Sequence, residues 1–373
     1  MDFALDDEQS LLVSTVRRWS ERGLRTWAAD ADRGGTAPGA MWSAAAELGL
    51  LLDAVPAADG GLLDGDAGAY SHQARALRGI ELGRGCAALA ALCESNVEPA
   101  LAVARWGSSA ARETLYRAIA ADGAPPAIAV VAHDFHERLA IEDGGAAVTL
   151  RGRLGPLPGL ALASHVLVVA TGAAPVLALI PVASPGARVV PCDPAPSAWR
   201  AAAWGALELD GAAIPAELVL ARGAAARAAA TEVLSWMRVG LAARAVGVAA
   251  IALDHAAAYG RDRVQFGQPI GRFESIAHML DENQTAVAAA RLLVLQAAWE
   301  IDRGAASAAD SASRARDLAA RVVARATIDA VQIFGGYGFV NDFPVEKLMR
   351  DARPFEVLAG NEALSRVLAA VEG

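Results

Sequence analysis

After Gly223 the chain continues in alanine-rich stretches whose apolar residues recur at helical intervals, and residues 225–259, 273–303 and 306–334 each exceed the usual length of a globular helix. Helices this long bury their apolar stripes mainly against one another. Short connections between them force consecutive helices to run antiparallel, so residues 224–373 are expected to pack as a helical bundle. A last helical segment, near Arg350-Asp351, makes it a four-helix bundle.

The rest of the chain has two other rhythms. Residues 1–124 read as a helical unit. Asp6 and Gln9 have capping-box spacing, and Leu12, Val16 and Trp19 follow at helical intervals. Further helices are expected near 38–50, 67–82, 97–106 and 109–120. From about Ala127 the period changes to short β-branched runs broken by turn residues, which makes residues 125–223 a β domain. Asp143-Gly144, between Ala140-Ile141 and Val148-Thr149-Leu150, is a hairpin signal. More strands are expected at 166–170, 176–182, 188–190, 207–209 and 218–220. The fold class is therefore α+β, ordered as an N-terminal helical domain, a middle β-barrel or sandwich domain and a C-terminal four-helix bundle.

At 373 residues, 54% of them hydrophobic, the chain can fill more than one core. Its 33 basic and 42 acidic residues leave a net charge of −9 without a Lys/Arg-rich run, which argues against a nucleic-acid partner. Cys86, Cys93 and Cys192 lack metal-ligand or CxxC spacing and suit reduced thiols; the acidic start MDFALDDEQSLL lacks the basic n-region of a secretory signal. A cytoplasmic protein is expected. Residues 154–187 contain no Asp, Glu, Lys or Arg and are long enough to span a bilayer. Pro156, Pro158, Gly172 and Pro175 break that run into strand-length pieces, so two buried strands are the more economical reading. His133, Asp134, His136 and Glu137 lack HExxH spacing and a third ligand group; they read as a polar loop with no metal.

Two C-terminal blocks, YGRDRVQFGQPIGRFESIAHML and ATIDAVQIFGGYGFVNDFPVEKLMRDAR, are specific, and MDFALDDEQ, WSAAAELGLLLDAVP and ARWGS accompany them upstream. With these blocks nearly the whole chain resembles the acyl-CoA dehydrogenase family. The resemblance implies FAD as cofactor, an acyl thioester of coenzyme A or a carrier protein as substrate, and a dimer or tetramer whose subunits share FAD sites. An FAD pyrophosphate needs a guanidinium fork or helix N-termini, and Arg263 is such a fork near a helix end. Its counterpart in the family serves a neighbouring subunit. Phe266 and Phe273 flank a Gly267-Gln268-Pro269 turn and offer aromatic faces to the cofactor or to the core. Gln332, Gly335 and Gly336 match the family's Q-x-x-G-G block, where paired glycines let backbone approach the cofactor. Asn361 stands where a flavin-contacting Thr is usual, and Arg238 matches an arginine near the substrate and the active-site base. Arg350-Asp351 matches an RD pair for which a structural ion pair is an equal reading.

The resemblance breaks at the chemistry. Dehydrogenation removes an α-proton while a β-hydride leaves to the flavin, and a positioned carboxylate normally takes the proton. At that position the chain has Ala359, and at the alternative glutamate site of some family members it has Met237. Glu356 and Glu362, three residues to either side of Ala359, are candidate substitutes. The middle domain departs as well. AHDFHERLA replaces the usual Thr-Glu-Pro and Gly-Ser-Asp elements, LGPLPG follows Gly152 in place of an aromatic, and Glu274 replaces a Gln. Three functions are therefore open: a FAD-dependent dehydrogenase with a non-standard or missing base, a non-catalytic subunit that completes a paralogue's FAD site in a heteromer, and a structural protein without FAD.

Overall fold

The computed structural model describes residues 4–121, 128–133, 139–171, 174–194 and 196–359, with residues 128–133 described for their backbone alone. The N-terminal helices are α1 (Asp7–Arg22), α2 (Leu24–Gly34), α3 (Gly39–Glu47), α4 (His72–Gly85), α5 (Ala87–Cys93), α6 (Val97–Trp106) and α7 (Ser109–Ile119). The capping box forms as the sequence requires: the Asp6 carboxylate accepts the Gln9 backbone N–H at 2.8 Å, and the Gln9 side chain accepts the Asp6 N–H. Two helices were not anticipated. Gly23 separates α2 from α1, and the extended Cys86 separates α5 from α4, so each reads as a continuation of its neighbour.

The middle of the chain forms two four-stranded sheets. One, in the order β1-β4-β5-β8, comprises β1 (Ile128–His133), β4 (Ala163–Ala170), β5 (Val176–Pro181) and β8 (Val219–Arg222). The other, in the order β2-β3-β7-β6, comprises β2 (Ala140–Asp143), β3 (Ala147–Leu157), β6 (Ala187–Pro191) and β7 (Gly205–Pro215). β2 and β3 are the antiparallel hairpin announced by Asp143-Gly144. β4 pairs antiparallel with β5, Val168 opposite Ala178, and Val166 through Val169 are fully buried. The charge-free run is thus the core of the sheet layer, where an interior strand needs no polar face.

The C-terminal part begins with the 40-residue α8 (Gly223–Asp262) and a small hairpin of β9 (Val264–Gln265) and β10 (Gln268–Pro269). It continues through α9 (Glu274–Asp302), α10 (Ala308–Phe334), α11 (Val345–Asp351) and α12 (Pro354–Val357). The three long helices match the expected segments closely; whatever closes the bundle after Ala359 lies outside the described residues. α8 is central and packs against α4, α9 and α10. Its crossing with α4 is too close for side chains: a Cβ on Gly247 would come within 2.0 Å of the Ile80 carbonyl oxygen, and one on Gly83 within 2.3 Å of that of Arg244. This close approach brings charged residues of α4 and α8 together inside the protein.

His72 starts α4 with its ring between Tyr70 and Trp236, 5.7 Å from the latter in a stacked arrangement, while its backbone N–H donates to Asp302 at 2.7 Å. Burial, with Arg75 nearby, lowers its pKa to about 3. A histidine held neutral by the fold contributes stability that is complete above the unfolded pKa and is lost as pH falls towards the folded one. Its protonation is expected to cost about 2 kcal/mol by pH 5. His72→Phe keeps an aromatic ring in the stack; denaturant titrations should show the variant losing about 2 kcal/mol less than wild type between pH 7 and pH 5. Equal losses would refute the assignment.

Candidate active site

A cavity of about 100 Å³ lies where the N-terminal helices, the loop after β3, α8 and the segment after α12 meet. Ala359, Leu358 and Met237 line it, together with Leu157, Pro158 and Trp199 from the middle of the chain. Ala359 and Met237, the two positions at which a base was expected from the resemblance, therefore share one cavity. Leu157 and Pro158, from the LGPLPG stretch, supply an aliphatic wall where an aromatic was expected.

Ala359 is buried and has φ 58°, a left-handed conformation that costs a residue with a Cβ roughly 1–2 kcal/mol. Two buried arginines hold the carbonyls around it. Arg238 Nε donates to the Ala359 oxygen at 3.3 Å, and Arg316 donates to the Leu358 oxygen from Nη2 at 2.8 Å and from Nε at 3.2 Å. Arg238 thus stands beside Ala359. Glu356 points elsewhere: it pairs with Arg353 at 2.9 Å, is 42% exposed, and is not among the residues lining the cavity. Asn361 and Glu362 lie outside the described residues, as do Asp134, His136 and Glu137 and the side chain of His133.

Arg350 and Asp351 are tied into the packing. Arg350 grips Asp32 with both terminal nitrogens, at 2.8 and 3.3 Å, and also pairs with Glu346. Asp351 is almost fully buried and bonded to Lys347; its carboxylate accepts the Trp199 N–H at 3.0 Å and its carbonyl accepts Trp199 Nε1–H at 2.9 Å. The pair fixes the Trp199 loop, one wall of the cavity, to the C-terminal helices.

The remaining wall is charged, and sequence reasoning missed it. Arg75, Glu94, Glu98 and Arg244 line the cavity, all nearly buried. Arg75 Nη2 donates to Glu98 at 2.7 Å, while Glu94 accepts from Arg244 at 2.5 Å and from Arg78 at 3.0 and 3.1 Å. Burial alone would raise the Glu94 pKa; the two guanidiniums outweigh it and hold the group below the ordinary carboxylate range. The available signal was a lone charge inside an apolar helical run, as with Glu94 in AALAALCESNV and Arg244 in GLAARAVGVAA.

The cofactor candidates gather at the other end of α8. Arg263 caps that helix, and its guanidinium lies 5.6 Å over the Tyr337 ring. Arg263, Tyr337 and Gly336 line an open cavity of about 460 Å³. Gln332 is exposed on the last turn of α10, and a Cβ built on Gly335 or Gly336 meets nothing within 4 Å. Phe266 sits in the β9–β10 turn, 93% exposed, with its ring 6.2 Å edge-on from Phe273. Phe339 and Val264 are exposed nearby in the chain. A guanidinium over the Tyr337 ring, an open diglycine backbone and exposed aromatic faces fit the pyrophosphate and adenine end of a FAD, presented outward. Glu274 is exposed in the first turn of α9, where the helix dipole favours an acid.

The profile for the acyl-CoA dehydrogenase N-terminal domain matches residues 6–122, and that for the C-terminal domain matches residues 227–371. A cyclohex-1-ene-1-carbonyl-CoA dehydrogenase of Geobacter metallireducens is 30% identical over 98% of this chain and 97% of its own length. An acyl-CoA dehydrogenase of Bacillus subtilis is 42% identical over a stretch spanning 35% of this chain and only 34% of that protein. The structure of butyryl-CoA dehydrogenase from Megasphaera elsdenii superposes with a TM-score of 0.82 at 25% identity, covering 100% of this chain and 99% of that one.

Proposed function

The chain belongs to the acyl-CoA dehydrogenase family, and from that premise we propose that it is a FAD-dependent oxidoreductase of acyl thioesters that works without the family's usual carboxylate base. The observation that supports this reading is the cavity shared by Ala359 and Met237, two apolar residues at the positions where the resemblance expects a base. Bound FAD would accept the β-hydrogen as a hydride. The chain's own residues would do the rest. Arg238 and Arg316 fix the backbone beside the reacting carbons, the Trp199 loop and Leu157 exclude water, and Arg263, Gln332 and Gly335-Gly336 receive the pyrophosphate end of a FAD shared with a neighbouring subunit. The α-proton leaves to a carboxylate such as Glu362 or, where the substrate's own substituent acidifies it, to solvent at the cavity mouth.

A second reading is supported by the outward-facing half-site around Arg263, which would also complete the flavin site of a paralogous partner. The visible spectrum of the chain purified alone separates the two. Oxidised-flavin bands at one FAD per subunit are expected, and Arg263→Ala should lower that occupancy at least about tenfold through loss of a charge-assisted contact. A colourless protein that gains flavin only on co-expression with a paralogue would replace the first reading with the second.

A further inference from the structure

Among the described residues two carboxylates line the cavity at Ala359, and they differ in what is left open on them. Glu94 is saturated: Oε1 accepts two bonds from Arg78, Oε2 accepts one from Arg244, and the side chain is 1% exposed. Glu98 accepts at Oε1 alone, from Arg75 Nη2 at 2.7 Å; its Oε2 bonds to no donor among the described residues, and the side chain is 10% exposed. The nearby polar atoms that are sealed in without a partner are Asp53 Oδ1 and the Nε atoms of Arg75 and Arg244. Glu98 Oε2 is not one of these, so its lone pairs are accessible from the cavity that Glu98 lines.

What holds Glu98 also places it. The guanidinium that takes Oε1 through Nη2 donates through Nη1 to the Trp236 carbonyl at 3.3 Å, the carbonyl of the peptide bond into Met237. One planar group therefore spans from Glu98 to the backbone of a position where the resemblance expects a base, and α6 brings a carboxylate to a place that α8 leaves apolar. Glu98 lies in the first turn of α6, where the helix dipole suits an anion, and Arg75 supplies the counter-charge. Arg75 is itself enclosed, 1% exposed and packed on Gly240, so it acts as a fixed mount for the carboxylate.

We propose that Glu98 is the catalytic base of this site, taking the α-proton of the acyl thioester on Oε2. The proposal rests on the acyl-thioester reading above and assigns its proton acceptor. The α C–H bond breaks and the proton bonds to Oε2. The electron pair left behind becomes the α,β double bond as the β-hydrogen leaves as a hydride to bound FAD, so the acyl group is oxidised and the flavin reduced.

Proton transfer is read apart from oxidation with (methylthio)acetyl-pantetheine, whose β atom is a sulfur that acidifies the α C–H and carries no hydrogen to transfer. Proton NMR in D2O follows α-deuteration by the purified protein, and isothermal titration calorimetry gives the Kd. Wild type is expected to exchange the α-protons above the protein-free rate. Glu98→Gln keeps an acceptor oxygen for Arg75, and should bind within about threefold of wild type while losing about 10²–10⁴ of the exchange rate. Glu362→Gln should change neither. If Glu98→Gln fails to fold, Glu98→Asp decides: it keeps the charge, withdraws it by one methylene, and should cut exchange at least about tenfold at unchanged Kd. Undiminished exchange in the folded Glu98 variant, a fall in exchange matched by the loss of binding, a loss confined to Glu362→Gln, or wild-type binding without exchange each overturns the base assignment alone. A wild-type protein that does not bind the thioester overturns it together with the acyl-thioester reading.

Discussion

Ala359→Glu is expected to raise the rate at which an acyl thioester reduces the bound flavin by about 10²–10⁴, the usual contribution of a positioned general base. The backbone is ready for the change. Ala359 already adopts φ 58°, so a glutamate inherits an existing strain, and its side chain starts in the cavity beside Met237. Arg238 beside it favours the ionised carboxylate. Stopped-flow absorbance of the flavin measures the effect directly, with Glu356→Gln and Glu362→Gln in the native background as companions. A slow wild-type rate unchanged in both companions, together with a gain in Ala359→Glu, identifies the missing base as the chemical deficit. No gain in Ala359→Glu would mean that the native substrate needs no carboxylate there.

Asp351→Ala is expected to lower stability by about 3–5 kcal/mol, the range for removing one partner of a buried ion pair. It strips Lys347 of its carboxylate and leaves the Trp199 N–H without an acceptor, all within nearly buried surroundings. Asp351→Asn keeps an acceptor oxygen for that N–H and should cost less, about 1–3 kcal/mol. Urea titrations followed by fluorescence measure both. A loss below about 1 kcal/mol in Asp351→Ala would refute the anchoring role, because surface-like pairs have that magnitude. Since Trp199 lines the cavity, a folded Asp351→Asn protein should also bind acyl thioesters less tightly.

Much of this was legible from local signals. The capping box at Asp6, the Asp143-Gly144 hairpin and the long helical stretches each depend on residues a few positions apart, and each forms. The apolar identities of Ala359 and Met237 were equally plain, being read directly at positions where the resemblance leads one to expect a carboxylate. The roles of charged residues were not. Glu356 shares a helical interval with the base position, but the short α12 turns it towards Arg353 and away from the cavity.

What the sequence alone determined is the order of helical, β and helical units, the family, and the absence of a carboxylate at two positions. What only the tertiary structure decided is that Ala359 and Met237 share a cavity with a wall of buried, mutually neutralised charges, and that Arg350-Asp351 acts as an anchor. The physical reason is distance along the chain. Periodicity and capping report neighbours within a turn or two, whereas a buried charge is defined by its partner: Glu94 finds Arg244 150 residues away, and Arg350 finds Asp32 318 residues away. Those pairings exist only because the glycine-lined crossing of α4 and α8 and the docking of α11 on α2 bring distant segments into contact.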